Sequence, residues 1–322
     1  MLRNYVYNVI VLCALVTTPR RCTFAFQTSS LGSHIHWMED ESESLESDYI
    51  ACGEQELRSR PGLYTYVSHG GKDLCSLYLA APLDRVLELE FTILDVDCNS
   101  GADVGVFDGW ELDDQIFPSS KDHTDPLPSR YVSLCHRSSP ATNSRYLSKQ
   151  NIAQVQFIVP TVGQGFRIKV NFKVNYQPCN MMLLSNHYQK ITLRNYGLQR
   201  NCTVLSLYPQ AVQILYMNIG ETNRDGLFLP LRPEHSSGIK TLCRNHVGGE
   251  DILELYEGTG VASESWKLVI GICGVRQTVE PTLIKLRCQS SAVRLQSSGE
   301  YFNVITFAYL PGENDEDTAC YQ

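Results

Sequence analysis

Cysteine is the residue type whose number and spacing in this chain allow the most specific chemistry. The 322 residues include twelve cysteines, and Cys13 and Cys22 lie in an N-terminal segment with the features of a signal peptide. The other ten form an even set, which in an exported chain predicts five disulfide bonds. None has the short Cys-x-x-Cys spacing of zinc sites, so we expect no metal and no other cofactor. The ten are Cys52, Cys75, Cys98, Cys135, Cys179, Cys202, Cys243, Cys273, Cys288 and Cys320.

An internal repeat narrows the roughly 945 pairings that ten cysteines allow. A step of 23 residues recurs in the two halves of the chain, from Cys52 to Cys75 and from Cys179 to Cys202. A second cysteine pair follows each step, near a related glycine- and acid-containing motif at residues 101–109 and 249–258. The simplest framework pairs the cysteines in order: Cys52–Cys75, Cys98–Cys135, Cys179–Cys202, Cys243–Cys273 and Cys288–Cys320.

Asn201-Cys202-Thr203 is a possible modification site, because it is the one Asn-x-Ser/Thr sequon of the chain. In an exported protein such a sequon predicts an N-linked glycan on Asn201.

Catalytic residue types form no recognisable set. The sequence has no Gly-x-Ser-x-Gly, no His-Glu-x-x-His and no phosphate-binding glycine loop. A hydrolase would need a Ser/His/Asp set that only the fold assembles, from among eight scattered histidines. We therefore expect no catalytic residues and no enzyme.

The elements that position these residues are predicted to be strands. Apolar and polar residues alternate with a period of two at residues 87–93, 153–159, 166–174 and 305–309, as in half-buried strands. Turn residues separate these runs, for example Asp108-Gly109. The length fits two β-sandwiches, with a break just before Cys179. We predict an all-β fold with domains at residues 49–176 and 177–322, the second ending in a disulfide-tied tail.

The first 48 residues are predicted to lie outside the two domains. Arg3, an apolar run at residues 9–16 and small residues before Phe26 predict a signal peptide at residues 1–25. Residues 26–48 should form a flexible acidic leader. A proline- and serine-containing stretch at residues 229–238 should be an exposed loop.

Charge and hydropathy exclude two classes of partner. Without residues 1–25 the chain has 24 basic and 35 acidic residues, a formal net charge of −11. Such an acidic chain is not expected to bind nucleic acid or anionic lipid. No later segment is apolar for the about 20 residues of a membrane helix. We expect a secreted, extracellular protein without membrane insertion.

Two sets of residues give the chain a family resemblance. The hairpin motif at Phe107-Asp108-Gly109 resembles the CUB domain, a secreted jelly-roll β-sandwich. The longer run 106–110, with Phe117-Pro118, Asp122-His123 and residues 126–129 before Cys135, is similar to the corticotropin-releasing factor-binding protein family. The resemblance covers residues 49–322 and extends to Asn201-Cys202 and the spacing of the ten cysteines. It implies two tandem CUB-like domains, sequential disulfides and a sequon at Asn201.

The resemblance also implies a function and a site. Proteins of this family are soluble traps that withhold corticotropin-releasing-factor-like peptide hormones from their receptors; a related diuretic-hormone-like peptide is a further candidate ligand. The implied contact lies near the first cysteine and includes Glu54. Where the family pattern has a basic residue four places before that cysteine, this chain has Asp48. Tyr64, Tyr66 and Trp110 are candidate aromatic anchors, with packing inside the sandwich as the alternative interpretation for each.

Calcium is a possible ligand of CUB domains, and the acids that could bind it are Glu88 or Glu90, Asp103 and Asp108. When the two repeats are aligned, Ala102 rather than Asp103 stands opposite Asp251. Since a shift of one residue moves a strand side chain to the other face, we expect no calcium site in the first domain.

Three functions remain open from the sequence. The first is a hormone-binding trap, and the second is a CUB-type extracellular adaptor or protease-enhancer protein. The third, a hydrolase, would require a catalytic set that the sequence does not display.

Overall fold

A computed structural model describes residues 47–53, 56–135, 144–208, 210–220, 251–273, 276–278 and 282–311. The predicted signal peptide, residues 26–46 of the predicted leader and the predicted loop at residues 229–238 lie outside these ranges, as does Glu54. The described part consists of strands, turns and three short 3₁₀ segments, Cys98–Ser100, Leu127–Ser129 and Ser263–Ser265. All of it belongs to one compact unit.

The first sandwich contains twelve strands. They are, in chain order, β1 (Asp48–Tyr49), β2 (Glu56–Arg58), β3 (Gly62–Val67), β4 (Cys75–Ala80), β5 (Arg85–Asp95), β6 (Asp103–Phe107), β7 (Trp110–Leu112), β8 (Gln115–Phe117), β9 (Tyr131–Ser133), β10 (Arg145–Leu147), β11 (Ile152–Ile158) and β12 (Gly165–Val174).

Ten of these strands form two five-stranded sheets. Outer sheet 1 has the order β1-β3-β12-β5-β10, and inner sheet 1 has the order β2-β4-β11-β6-β9. Strands β7 and β8 make a separate antiparallel hairpin. The core between the sheets contains alternate residues of the predicted strands, among them Leu87, Leu89, Phe91, Val155, Phe166 and Ile168. The two-residue period therefore identified the buried face correctly.

The second sandwich contains ten strands. They are β13 (Met181–Leu183), β14 (Gln189–Arg194), β15 (Arg200–Ser206), β16 (Gln210–Ile219), β17 (Ile252–Gly258), β18 (Trp266–Cys273), β19 (Arg276–Thr278), β20 (Thr282–Leu286), β21 (Ser290–Ser297) and β22 (Val304–Pro311).

These strands also form a pair of sheets. Inner sheet 2 has the order β13-β15-β21-β17-β18, and outer sheet 2 has the order β14-β22-β16-β19, with β20 also pairing to β16. The second core includes Leu193, Val204, Ile214, Leu253, Phe307 and Tyr309. The predicted all-β architecture of two sandwiches is confirmed. The chain passes between them at residues 175–180, which include the predicted break.

The two inner sheets face each other. Their contact, called the seam below, combines residues of inner sheet 1 and of the β7–β8 hairpin with residues of inner sheet 2. It contains Tyr78, Ala80, Trp110, Phe117, Ile152, Met182, Leu205, Val261 and Ala292. The sheets are therefore ordered outer sheet 1, inner sheet 1, inner sheet 2, outer sheet 2.

Candidate functional site

Tyr64 and Tyr66 lie inside the first sandwich rather than on its surface. Tyr64 is 2% exposed, and its hydroxyl donates a hydrogen bond of 2.6 Å to the carbonyl oxygen of Arg60. Burial raises the pKa of the Tyr64 hydroxyl, with the charge of Asp48 adding to the effect. The ring of Tyr66 packs at 4.5 Å from Phe157. The structure therefore corrects the prediction that these tyrosines are peptide anchors, because buried rings are not available to a docking peptide.

Trp110 is also buried, and its partners explain why. Its indole Nε1 donates hydrogen bonds to the carbonyl oxygens of Leu79, at 3.1 Å, and Ala153, at 3.0 Å. Its ring meets Tyr78 edge-on at 5.2 Å within the seam. A buried indole N–H that is fully satisfied by backbone carbonyls holds two sandwiches together. Trp110 is thus a packing residue of the seam, and its predicted role as a peptide anchor is corrected.

Hydrogen bonds reinforce the seam on both sides of its apolar centre. Asn151 and Met182 bond reciprocally, since Asn151 Nδ2 donates to Met182 O and Met182 N donates to Asn151 Oδ1, both at 2.9 Å. On the hairpin side, Gln115 Oε1 accepts from the backbone N–H groups of Val261, at 2.8 Å, and Ala262, at 3.1 Å. These bonds fix the register of one sandwich on the other.

A buried ion pair completes the seam. Asp122 Oδ1 accepts from Arg294 Nη2 at 2.6 Å and from Arg294 Nε at 3.0 Å, while Asp122 Oδ2 accepts from the Thr203 hydroxyl at 2.9 Å. Glu254 lies 3.4 Å from Arg294 Nη1. Burial alone would lower the pKa of Arg294, but Asp122 first and Glu254 second raise it above its usual value. Removing one partner of such a pair typically costs about 3–5 kcal/mol, because the other charge stays buried.

Asp108 lies in a second buried cluster, within the first sandwich. Its carboxylate accepts hydrogen bonds from the side chain of Gln150 and from the backbone N–H of Lys149, and it faces His123 Nε2 at 3.3 Å. Its backbone carbonyl accepts from Arg130 Nε at 3.0 Å. Burial lowers the pKa of the Arg130 guanidinium, and Asp108 partly opposes that shift. These contacts support the turn that carries the β7–β8 hairpin.

The acids considered for calcium do not converge. Asp103 accepts from the hydroxyl groups of Tyr131, at 2.9 Å, and Ser133, at 2.6 Å. Burial first, and the hydrogen bond to Asp103 second, raise the pKa of Tyr131. Glu90 pairs with Arg145, and Glu88 pairs with Lys173. Among the described residues, no three acid, histidine or cysteine side chains are grouped as metal ligands.

Asn201 lies beside the seam. Its Nδ2 donates a hydrogen bond of 3.0 Å to the carbonyl oxygen of Lys121 in the first sandwich. The sequon threonine, Thr203, is fully buried and bonds to Asp122.

Three disulfides join the cysteines that the sequential framework pairs: Cys52–Cys75, Cys98–Cys135 and Cys179–Cys202. Each links elements within one sandwich. Cys288 is disulfide-bonded as well. Its predicted partner Cys320 lies outside the described residues, as does Cys243, so the last two pairings stay predictions.

Sequence reasoning missed the residues of the seam. Asp122 and Trp110 both belong to the segment that gave the family resemblance, but nothing in their spacing showed that they contact the second sandwich. Arg294 and Gln115 had no signal at all in the sequence.

Two family models match this chain. The model described as corticotropin-releasing factor binding protein N-terminal domain matches residues 52–174, and the C-terminal domain model matches residues 186–317. The chain belongs to the corticotropin-releasing factor-binding protein family. The family resemblance predicted from the sequence is thus confirmed. Because this is a family of binding proteins, the prediction that the chain is not an enzyme is confirmed too.

Curated relatives agree over most of the chain. The corticotropin-releasing factor-binding protein of Rattus norvegicus is 30% identical over 254 residues, 79% of this chain and 74% of the relative. That of Ovis aries is 30% identical over 269 residues, 84% of this chain and 77% of the relative. That of Homo sapiens is 28% identical over 254 residues, again 79% of this chain and 74% of the relative.

Solved structures of CUB-containing proteins are similar at a lower level. The CUB1-EGF-CUB2 domains of rat MASP-1 match with 12% identity and a TM-score of 0.27, covering 80% of this chain and all of that chain. The full extracellular region of zebrafish Gpr126/Adgrg6 matches with 11% identity and a TM-score of 0.25, covering 83% of this chain and 38% of that chain. These TM-scores are too low to relate loops or sites between the structures.

The described residues include no helix with the length and apolar character that a membrane crossing requires.

Proposed function

We propose that this protein binds a corticotropin-releasing-factor-like peptide hormone, including the diuretic-hormone-like members of that class, and limits signalling through the hormone's receptor. The observation that carries the proposal is the match of both family models, in order, over both sandwiches. The family binds corticotropin-releasing-factor-like peptides. The conclusion of the proposal is a trap that holds the peptide without transforming it.

The arrangement of the sandwiches supports binding rather than catalysis. The acids and histidines of the two buried clusters, Asp108 with His123 and Asp122 with Arg294, bond to one another and to the backbone. Such groups are committed to structure, because a buried charge without its partner is costly. The peptide is therefore expected to dock on exposed side chains.

The place of action that we propose is extracellular. Disulfide bonds form and persist in oxidising compartments, and the three described bridges fit that setting. We also propose an N-linked glycan on Asn201. Because Thr203 of the sequon is fully buried, the glycan would have to be attached before the sandwiches dock.

Isothermal titration calorimetry tests the binding proposal. The mature protein is titrated with a synthetic corticotropin-releasing-factor-like peptide and, separately, with a diuretic-hormone-like peptide. Saturable heat is expected with at least one of them, and none with a scrambled peptide of the same composition. Absence of saturable binding to both peptides would overturn the proposal.

Variants near the first cysteine extend the same measurement. Glu54→Ala is expected to weaken binding more than tenfold, because a hydrogen bond to a charged group contributes about 1.5–3 kcal/mol. Deleting residues 26–47 should keep the affinity within about tenfold, since peripheral charges are screened beyond about 8 Å. Glu300→Ala, an exposed acid of the second sandwich, is the matched control and should leave the affinity unchanged. The reverse order of effects would place the contact in the leader.

A further inference from the structure

The seam restricts where a peptide can dock. Each sandwich has two sheet faces that point away from its core, and the seam covers the face of inner sheet 1 with that of inner sheet 2. The ion pair of Asp122 and Arg294 and the reciprocal bonds of Asn151 hold this contact closed. A peptide between the sandwiches would have to break both. The faces of the two outer sheets are the sheet surfaces that remain.

Outer sheet 1 presents an apolar row with a cation at its centre. The strand registers place Tyr49, Thr65, Arg167 and Ile93 side by side on the face away from the core. Tyr49 is 71% exposed and Ile93 is 44% exposed. The Thr65 hydroxyl accepts from Arg167 Nε at 3.0 Å and holds that guanidinium over the sheet.

The adjacent row adds a second cation. Leu63, Lys169, Glu90 and Arg145 lie in register across the sheet. Arg145 binds Glu90 at 3.3 Å, and Lys173 binds Glu88 at 3.3 Å. Among the described residues, neither Arg167 nor Lys169 has a carboxylate partner. The two central cations of this face are thus free to bind acids from outside, although the chain as a whole has a formal net charge of −8.

Outer sheet 2 differs at the corresponding place. At its outward centre, Thr192 and Thr306 bond to each other at 3.0 Å. That pair offers neither a large apolar surface nor a charge. Of the two open sheet faces, outer sheet 1 is therefore the one with the chemistry of a docking surface.

We infer that the outward face of outer sheet 1 docks the hormone as an amphipathic helix. The inference rests on the proposed function and names its contact surface. The apolar side of the helix packs on Tyr49, Ile93 and Leu63, and carboxylates on its flank bind Arg167 and Lys169. Five strands about 4.8 Å apart span about 19 Å, which is the length of a helix of about 13 residues. A helix that lies across the strands meets every one of these side chains.

Paired variants on the two outer sheets test the surface. Lys169→Glu and Tyr49→Ser change exposed residues of the proposed face. Lys190→Glu on β14 and Tyr188→Ser just before it, where Tyr188 is 58% exposed, make the same changes on outer sheet 2. Binding of a surface-immobilised corticotropin-releasing-factor-like peptide is measured for all four by surface plasmon resonance. Each variant of outer sheet 1 should weaken binding at least tenfold, and each variant of outer sheet 2 less than twofold.

Further measurements separate the possible outcomes. Lys169→Gln removes the charge without facing Glu90 with a second acid, so it keeps the test valid if Lys169→Glu unfolds. Wild-type binding with equal effects on both sheets would overturn the surface while the proposed function stands. No wild-type binding would overturn both. Loss of a dimer in light scattering with unchanged peptide binding would show that this face contacts a second copy, and the inference would be wrong.

Discussion

The two sandwiches close the same end of their fold in different ways. In the second sandwich, Asp251 comes just before β17 and is buried on the core side. It accepts hydrogen bonds from Asn303 Nδ2, at 2.6 Å, and from the backbone N–H of Ser298. Asn195 extends the network, since its Nδ2 donates to the Ser297 hydroxyl at 2.6 Å. One carboxylate thus ties together two loops and the start of a strand.

The first sandwich has Ala102 at that position, buried just before β6. Its carboxylate, Asp103, lies one residue later and on the opposite face, where it accepts from Tyr131 and Ser133. The neighbouring loop is held instead by Ser68, which donates to the carbonyl of Val159 and accepts from the N–H of Gly70 at 3.0 Å. A shift of one residue therefore moves a charge from a core network to a half-buried surface pair. The comparison teaches that the same topology can be closed with or without a buried charge.

Replacing Asp251 should break the comparison most strongly. Asp251→Ala leaves the Asn303 amide and the Ser298 N–H without their acceptor inside the fold, which should lower the free energy of unfolding by about 3 kcal/mol. Urea denaturation measures the loss. Glu300→Ala, an exposed acid of the adjoining loop, is the control and should stay within about 0.5 kcal/mol. A loss below about 1 kcal/mol for Asp251→Ala would mean that the network is not what closes this end.

Two glycines sharpen the comparison at equivalent loops. Gly70 has φ +93° and Gly197 has φ +72°, so an alanine at either adopts the left-handed region, which costs about 1–2 kcal/mol. A Cβ at Gly70 would lie 3.2 Å from Val162, and one at Gly197 would lie 2.8 Å from the Phe302 ring. Gly197→Ala should therefore destabilise more than Gly70→Ala in urea denaturation. Gly53→Ala, where φ is +112° and the space is open, isolates the backbone cost.

The smallest effect is expected at Asp103. Since this pair is half-buried, water can replace part of the lost bond, and Asp103→Ala should cost about 1 kcal/mol. Tyr131→Phe removes the same hydrogen bond from the other side. A double-mutant cycle on unfolding free energies should give a coupling of about 0.5–1 kcal/mol. A coupling near zero would show that Asp103 and Tyr131 do not stabilise each other.

The strands and their buried faces could be predicted from the sequence. Alternation at residues 87–93 and 166–174 identified β5 and β12, because one side of each strand packs in a core. It could not show the bulge where Thr92 interrupts the register between Arg167 and Ile168. A bulge leaves no mark in a two-residue period.

The seam was harder to predict, although one signal existed. In β4, Leu77 and Leu79 face the core while Tyr78 and Ala80 face the seam, so the strand is apolar on both sides. A continuous apolar run of this kind is typical of a strand that is buried on both faces. Trp110 misled for the opposite reason, since its position after Asp108-Gly109 indicated an exposed turn. The charges of Arg167 and Lys169 were hidden within the acidic total of the chain.

The seam has a consequence for synthesis of the protein. The chain is made from its N-terminus, so Tyr78, Ala80 and Ile152 leave the ribosome well before Ala292, which covers them in the finished fold. At about 5–20 residues per second, roughly 10–30 s separate Ile152 from Ala292. During that interval the first sandwich presents an apolar sheet face with nothing of its own chain to cover it. Newly made chains therefore depend on chaperones, or on low local concentration, until the second sandwich is complete.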